Sequence, residues 1–287
     1  MNAVVNIVVQ GALLGALYGL FALGQSLVFG VMRLTNTAHG DFIVLFAFVL
    51  FALTGAHVPL VIAIPVAFVV AFAAGYALQF AILNRVSGRD PLPSLIVTFG
   101  LSIVIQNVLQ QIFSADPRSL STGGFEALSV TLPGGIAIGY LPLVTFAVTV
   151  ALTFVLQWLF GRTPLGRALR ATSDDREIVQ LMGVSHRRMY ALAMGIAFVL
   201  IAAAATLYAM RTAVSPSDGP ALLLYAFEAV IIGGMGSFWG TFAGGVVLGV
   251  AQQAGFAFDP GWGIWFGHVL FLAVLVARPQ GLFPKTA

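Results

Sequence analysis

Apolar stretches fill this chain almost end to end, at roughly 6–31, 40–56, 58–83, 93–113, 139–160, 189–210, 221–235, 238–256 and 262–277. A helix that spans a bilayer needs about 20 mainly apolar residues, and in lipid each backbone N–H and C=O must find its partner within the protein. Runs of this length therefore predict helices. The stretches at 40–56 and 221–235 are short for a crossing and read as tilted, broken or re-entrant. The expected fold is all-α: a polytopic integral membrane helix bundle of about eight transmembrane helices, with nine crossings or a re-entrant segment as the alternative. Hydrophobic residues make up 60% of the 287 and charged residues 8%, which excludes a soluble domain and leaves no room for one between the spans. Residues 1–287 read as a single transmembrane domain.

Charge gives the orientation. Gly161–Arg188 is the one large polar interruption, with six arginines and three acids. Together with Arg33, Arg85, Arg89, Arg278 and Lys285, it gathers 11 of the 13 basic residues into segments assigned to one side. That asymmetry places them in the cytosol and makes 161–188 a cytoplasmic loop, while the 114–138 connection lies outside. Under nine crossings the N-terminus is outside as well; under eight it is inside. The first basic residue is Arg33, so the opening stretch lacks the charged start of a cleavable signal and is expected to stay as a span. The basic balance is thus accounted for by the membrane, with no nucleic-acid partner implied.

Glycine spacing speaks to packing. Gly11, Gly15 and Gly19 repeat every four residues near the start, and Gly236, Gly240 and Gly244 do so near the end, with Gly245 and Gly249 in a neighbouring row. Small residues on one face let helix backbones approach closely in lipid, so both rows read as helix-packing faces.

Three polar features interrupt the spans. Thr98, Ser102, Gln106 and Gln110 follow one another at four-residue steps and form a ridge on one side of a helix. In hydrocarbon such a ridge turns toward the bundle or a wet path, so it serves either interhelical hydrogen bonding or pathway lining. The segment Gly30–Phe42 (GVMRLTNTAHGDF) concentrates Arg33, Asn36, His39 and Asp41. His39 and Asp41 are expected to pair as a structural clasp at a helix boundary, with a proton relay as the alternative. No further His or acid cluster completes a metal site. Glu228 is the most isolated acid in a span; it marks a functional site, or else it lies near an interface where hydration relieves it.

Enzyme signatures are missing. The sole lysine, Lys285, has no glycine loop ahead of it, so the chain has no Walker A motif, and neither an HExxH pair nor a GxSxG elbow is present. With no cysteine, thiolate chemistry is excluded.

Three segments carry a family resemblance: GVMRLTNTAHGDF (30–42), LGRALRATSDDREIVQLMGV (165–184) and AFEAVIIGGMGSFWGTFAGG (226–245). In this order they resemble the signature regions of permeases of branched-chain amino acid ABC importers, the LivH-type subunit, over nearly the whole chain. The resemblance implies a multi-pass protein of the bacterial cell inner membrane. Its implied partners are a LivM-like permease, two cytosolic ATPase subunits and a periplasmic substrate-binding protein. ATP and Mg are then bound by those partners, with no cofactor in this chain.

The resemblance also assigns 165–184 to ATPase coupling through a short helix and a glycine turn. Glu177 and Gly183 have the six-residue spacing of such loops, although Ile178 and Val179 stand where the broad consensus has alanines. Arg170, Asp175 and Glu177 are the polar contacts expected there, and Ile178, Leu181 and Met182 the apolar anchor. Asn36, Thr98, Ser102, Gln106 and Glu228 are the candidates for lining the pathway. The other readings are an autonomous secondary transporter or channel for a small polar solute, and a nonconducting scaffold.

Overall fold

Every apolar stretch becomes a helix in the computed structural model, which describes residues 2–86, 92–121, 123–125, 128–132 and 136–283. In chain order these are α1 (Asn2–Met32), α2 (His39–Gly55) and α3 (Leu60–Leu78), which continues through a π-helical turn at Gln79–Leu83 into the short α4 (Asn84–Val86). Then come α5 (Leu92–Phe113), α6 (Tyr140–Arg162), α7 (Pro164–Asp174), α8 (Arg176–Leu181), α9 (His186–Arg211), α10 (Gly219–Gly233), α11 (Phe238–Phe258) and α12 (Gly263–Ala277). Among the described residues six helices are long and apolar enough to cross a membrane. α2, α10 and α12 have 17, 15 and 15 residues. At 1.5 Å per residue they measure about 22–26 Å against a hydrocarbon core of about 30 Å.

α1 and α9 form the centre. Within the most apolar eighteen residues of each, 67% and 78% are buried, against 22% for α3 and for α6. The sequence of α9 explains its place, because Ala191, Ala193, Ala197 and Ala202–Ala205 let neighbouring backbones close in on it. α3, α5 and α6 turn Val61, Val69, Ile96, Ile112 and Phe154 outward, as lipid-facing helices do.

Glycine fixes how α11 is held. A Cβ at Gly11 would stand 2.5 Å from Val250 Cα, and one at Gly15 would overlap the Gly245 carbonyl, so α1 and α11 run antiparallel in near backbone contact. Gly240 and Gly244 occupy the other flank, against Gly233 and Ala229 of α10. The two rows read from the sequence therefore do not face each other: Gly11, Gly15 and Gly19 meet the Gly245–Gly249 flank and Phe242. Gly236 corrects its reading as a helix-packing residue, since it lies in the turn before α11 with φ 81° and rests on Gly30.

Tertiary contacts sort the chain ends into two poles. At one pole the Asn84 amide donates to the Arg187 carbonyl at 3.2 Å, Ser173 Oγ donates to the Gly30 carbonyl at 2.8 Å, and Gly30 abuts Gly236. At the other pole Arg118 N–H donates to Val214 O, Leu120 N–H to Ala209 O, and the Gln10 amide to Ala137 O. Arg85 and the arginines of 161–188 thus gather at one pole. Arg89 and Lys285, counted with them in the sequence, lie outside the described residues.

The described parts of the 114–138 connection include strand structure. Ser129–Leu132 pairs antiparallel with Ile136–Gly139, and Arg118 bridges to Val214, so the bundle carries one small hairpin at the second pole. Its alternating Ser-Val-Thr-Leu pattern is a strand signal too short to outweigh the helical runs around it.

Candidate functional site

α2 begins inside the bundle. α1 ends at Met32, Arg33 adopts φ 51°, and residues 33–38 fold back so that His39 Nε2–H donates to the carbonyl of Phe21 at 2.7 Å. Phe21 lies about 16 Å of helix rise before the end of α1, so non-helical backbone reaches well into the membrane here. Such backbone is tolerated only where protein or water surrounds it.

Packing makes this entry possible. Gly40 presses against the Gly219 carbonyl at the start of α10, and Asp41 fills the space that a side chain at 219 would need. Asn36 Oδ1 accepts the Ala38 N–H at 3.1 Å and so caps the re-entrant turn. α5 runs beside it in the same direction. Thr98 Oγ1 accepts the Thr37 N–H at 3.2 Å and lies 2.8 Å from Thr37 Oγ1, while Gln106 Nε2 donates to Asp41 Oδ1 at 2.8 Å and to Ser102 Oγ at 3.2 Å.

The structure thus brings together four of the five residues assigned to the pathway: Asn36, Thr98, Ser102 and Gln106. Gln110, further along the same ridge, is exposed. The expected His39–Asp41 pair is not formed. His39 reaches α1 and Asp41 reaches α5, because their side chains diverge at the first turn of α2. Each still clasps the helix boundary, but to a different neighbour.

The fifth candidate, Glu228, belongs to a separate cluster and is not isolated. It is 1% exposed, and its Oε1 lies 2.5 Å from His268 Nδ1 on α12. The His268 ring lies parallel to Tyr225, which stacks on Tyr18 at 4.7 Å, and Tyr18 OH donates to Gln252 Oε1 at 2.6 Å. The network ties α1, α10, α11 and α12 together. Burial also corrects the reading of Glu228 as a hydrated interface residue. Sequence reasoning missed His268, Tyr18 and Gln252; each is a lone polar group in an apolar helix, which is the available signal.

The 161–188 segment folds as an elbow of α7 and α8. Thr163 Oγ1 accepts the Gly166 N–H at 3.0 Å, with Pro164 in the first turn, a favourable start for α7. Leu169 and Val179 are buried and anchor the elbow. Asp175, expected as a docking contact, is the N-cap of α8: its Oδ1 accepts the N–H groups of Glu177 at 2.8 Å and Ile178 at 3.1 Å. Arg170 turns inward, donating to the Phe160 carbonyl on the wall of a cavity of about 220 Å³ bounded by Leu27, Gln157 and Phe238. That contact braces the elbow on α6 and leaves Arg170 only partly exposed. Ile178, Leu181 and Met182 stand out at 56%, 89% and 78% exposure, and Gly183 closes α8 with φ 82°.

Comparison with known proteins shows the family. Residues 7–278 match the family model described as branched-chain amino acid transport system / permease component. The chain is 31% identical, over 96% of its length and 94% of the relative, to the high-affinity branched-chain amino acid transport system permease protein BraD of Pseudomonas aeruginosa. It is 28% identical to LivH of Escherichia coli (strain K12), covering 96% and 94%, and 28% identical to LivM of the same organism, covering 96% and 69%. No solved structure matches. A helical membrane bundle with a buried polar breakpoint, matched across nearly its full length by these relatives, belongs to the family of branched-chain amino acid transport permeases.

Proposed function

We propose that this chain is one of two membrane subunits of an ATP-driven importer, and that with a second, LivM-like permease it encloses the path of a branched-chain or other hydrophobic amino acid. Similarity to both LivH and LivM supports a pair built from two related folds. In this reading the arginine-rich pole faces the cytosol of a bacterial inner membrane, and nine helices cross with the N-terminus outside. Asn36, Thr98, Ser102 and Gln106 line the route.

The α8 tip carries the reading. Three large apolar side chains project together from an elbow otherwise held by buried leucine, a capped helix and an inward arginine. Such a face fits a groove on a partner of complementary shape. The partners are two cytosolic ATPases that hold ATP and Mg, and a periplasmic binding protein delivers substrate. Closure of the ATPases moves α8, and the α7 brace on α6, α1 and α9 passes the displacement into the bundle.

Co-purification tests this. The chain should be recovered with a nucleotide-binding subunit, and uptake in proteoliposomes should require ATP and the binding protein. Substrate uptake by the purified chain alone sinks the proposal and favours an autonomous transporter.

A further inference from the structure

Unpaired polar atoms concentrate where α2 enters the bundle. Asn36 and Asp41 are 0% and 1% exposed, yet Asn36 Nδ2 and Asp41 Oδ2 have no hydrogen-bond partner. Gln25, also buried, has neither amide atom paired. It stands one helical turn after Phe21, whose carbonyl receives His39, and so lies on the α1 face toward this entry. Leaving a buried polar group unpaired is costly, and native proteins rarely gather several at one spot without use.

The neighbouring bonds hold these atoms in place. Asn36 spends its oxygen on the Ala38 N–H, leaving its NH₂ free as a donor. Asp41 spends Oδ1 on Gln106 and packs against Gly219, leaving Oδ2 as an acceptor. The first turn of α2, whose N-terminal end favours anions, begins between them. An acceptor and a donor thus stand on either side of the start of α2, five residues apart in the chain, at membrane depth, where the helix is broken. Discontinuous helices in transporters place substrate head groups at such points.

We propose that Asp41 and Asn36 form a binding site for the zwitterionic head group of an α-amino acid, Asp41 Oδ2 accepting from the ammonium group and Asn36 Nδ2 donating to the carboxylate. The site rests on the permease reading above and deepens it. It reads the head group shared by all α-amino acids and leaves the side chain unread, so the selection among side chains falls to the binding protein.

The test uses the assembled importer, purified with its membrane and ATPase partners but without the binding protein, and measures radiolabelled leucine by scintillation proximity. Unlabelled leucine and valine should compete equally. The keto-acid analogue, which lacks the ammonium group, and leucinamide, which lacks the carboxylate, should each compete about tenfold more weakly or worse, as expected for one lost charge-assisted bond. Asp41→Asn should weaken leucine binding by a similar factor and narrow the gap between leucine and the keto acid; Asn36→Leu should narrow the gap between leucine and leucinamide. Equal competition by both analogues, absence of leucine binding to the native complex, or an Asp41→Asn complex that binds leucine like the native one overturns the site. The analogue series needs no variant, so misfolding cannot mask the answer. Recovery of the ATPase subunits in the same preparation reports the permease reading independently.

Discussion

Replacing Leu181 and Met182 together by aspartate isolates docking from folding. Both side chains are nearly free of contact, at 89% and 78% exposure, so their loss removes almost no burial from the chain itself. Full burial of one such side chain is worth about 1.5–3 kcal/mol. If a partner covers both, docking draws roughly 3 kcal/mol from them, about a hundredfold in affinity, before the further penalty of desolvating two carboxylates. The variant should therefore insert and unfold like the native protein by detergent melting, while the recovery of ATPase subunits in pull-downs falls about a hundredfold and ATP-driven uptake disappears. Gly183 offers a poorer test. At φ 82° any side chain strains the backbone of the elbow itself, so a Trp there mixes folding with obstruction. Native recovery of the ATPases with the double aspartate variant shows that α8 is not the contact.

Other expectations concern the bundle and its elbow. Gly249→Val should lower the melting temperature sharply, because its Cβ would meet Gly15 Cα at 2.5 Å, whereas Gly100→Ala, with nothing within 4 Å, should be neutral or stabilise by about 0.5–1 kcal/mol. His268→Ala leaves Glu228 buried without its partner and should destabilise by about 3–5 kcal/mol in a detergent melt; adding Glu228→Gln should recover part of that loss, and strict additivity speaks against the pair. Asp175→Ala removes two capping bonds from α8, so hydrogen exchange at Glu177 and Ile178 should speed up by about five- to tenfold, matching about 1 kcal/mol, with bundle amides unchanged.

Local chemistry made much of this protein legible from its residues. Apolar runs announce helices because lipid leaves the backbone no other way to satisfy itself, and all nine runs are helical. The arginine-rich interruption announces its pole because charge is excluded from hydrocarbon wherever it stands in the chain. The elbow of α7 and α8 also follows from near neighbours: Thr163 and Asp175 cap the helices that follow them, and Gly183 ends the second.

Pairing across helices was not legible, since it depends on the rotation and depth of each helix and a periodicity fixes neither. Asp41 and His39 stand two residues apart and look like partners, yet the helix points one at Gln106 and the other at Phe21. Glu228 looked alone until α12 brought His268 against it from forty residues away. The glycine rows announced close packing but not which flank of α11 each would meet. The sequence by itself determined a membrane bundle, its basic pole and its protruding elbow, because burial in lipid and exclusion of charge act on each segment alone. Only the tertiary structure decided that the broken start of α2 brings Asn36 and Asp41 beside the α5 ridge of Thr98, Ser102 and Gln106, because that meeting is set by three helices packing at once.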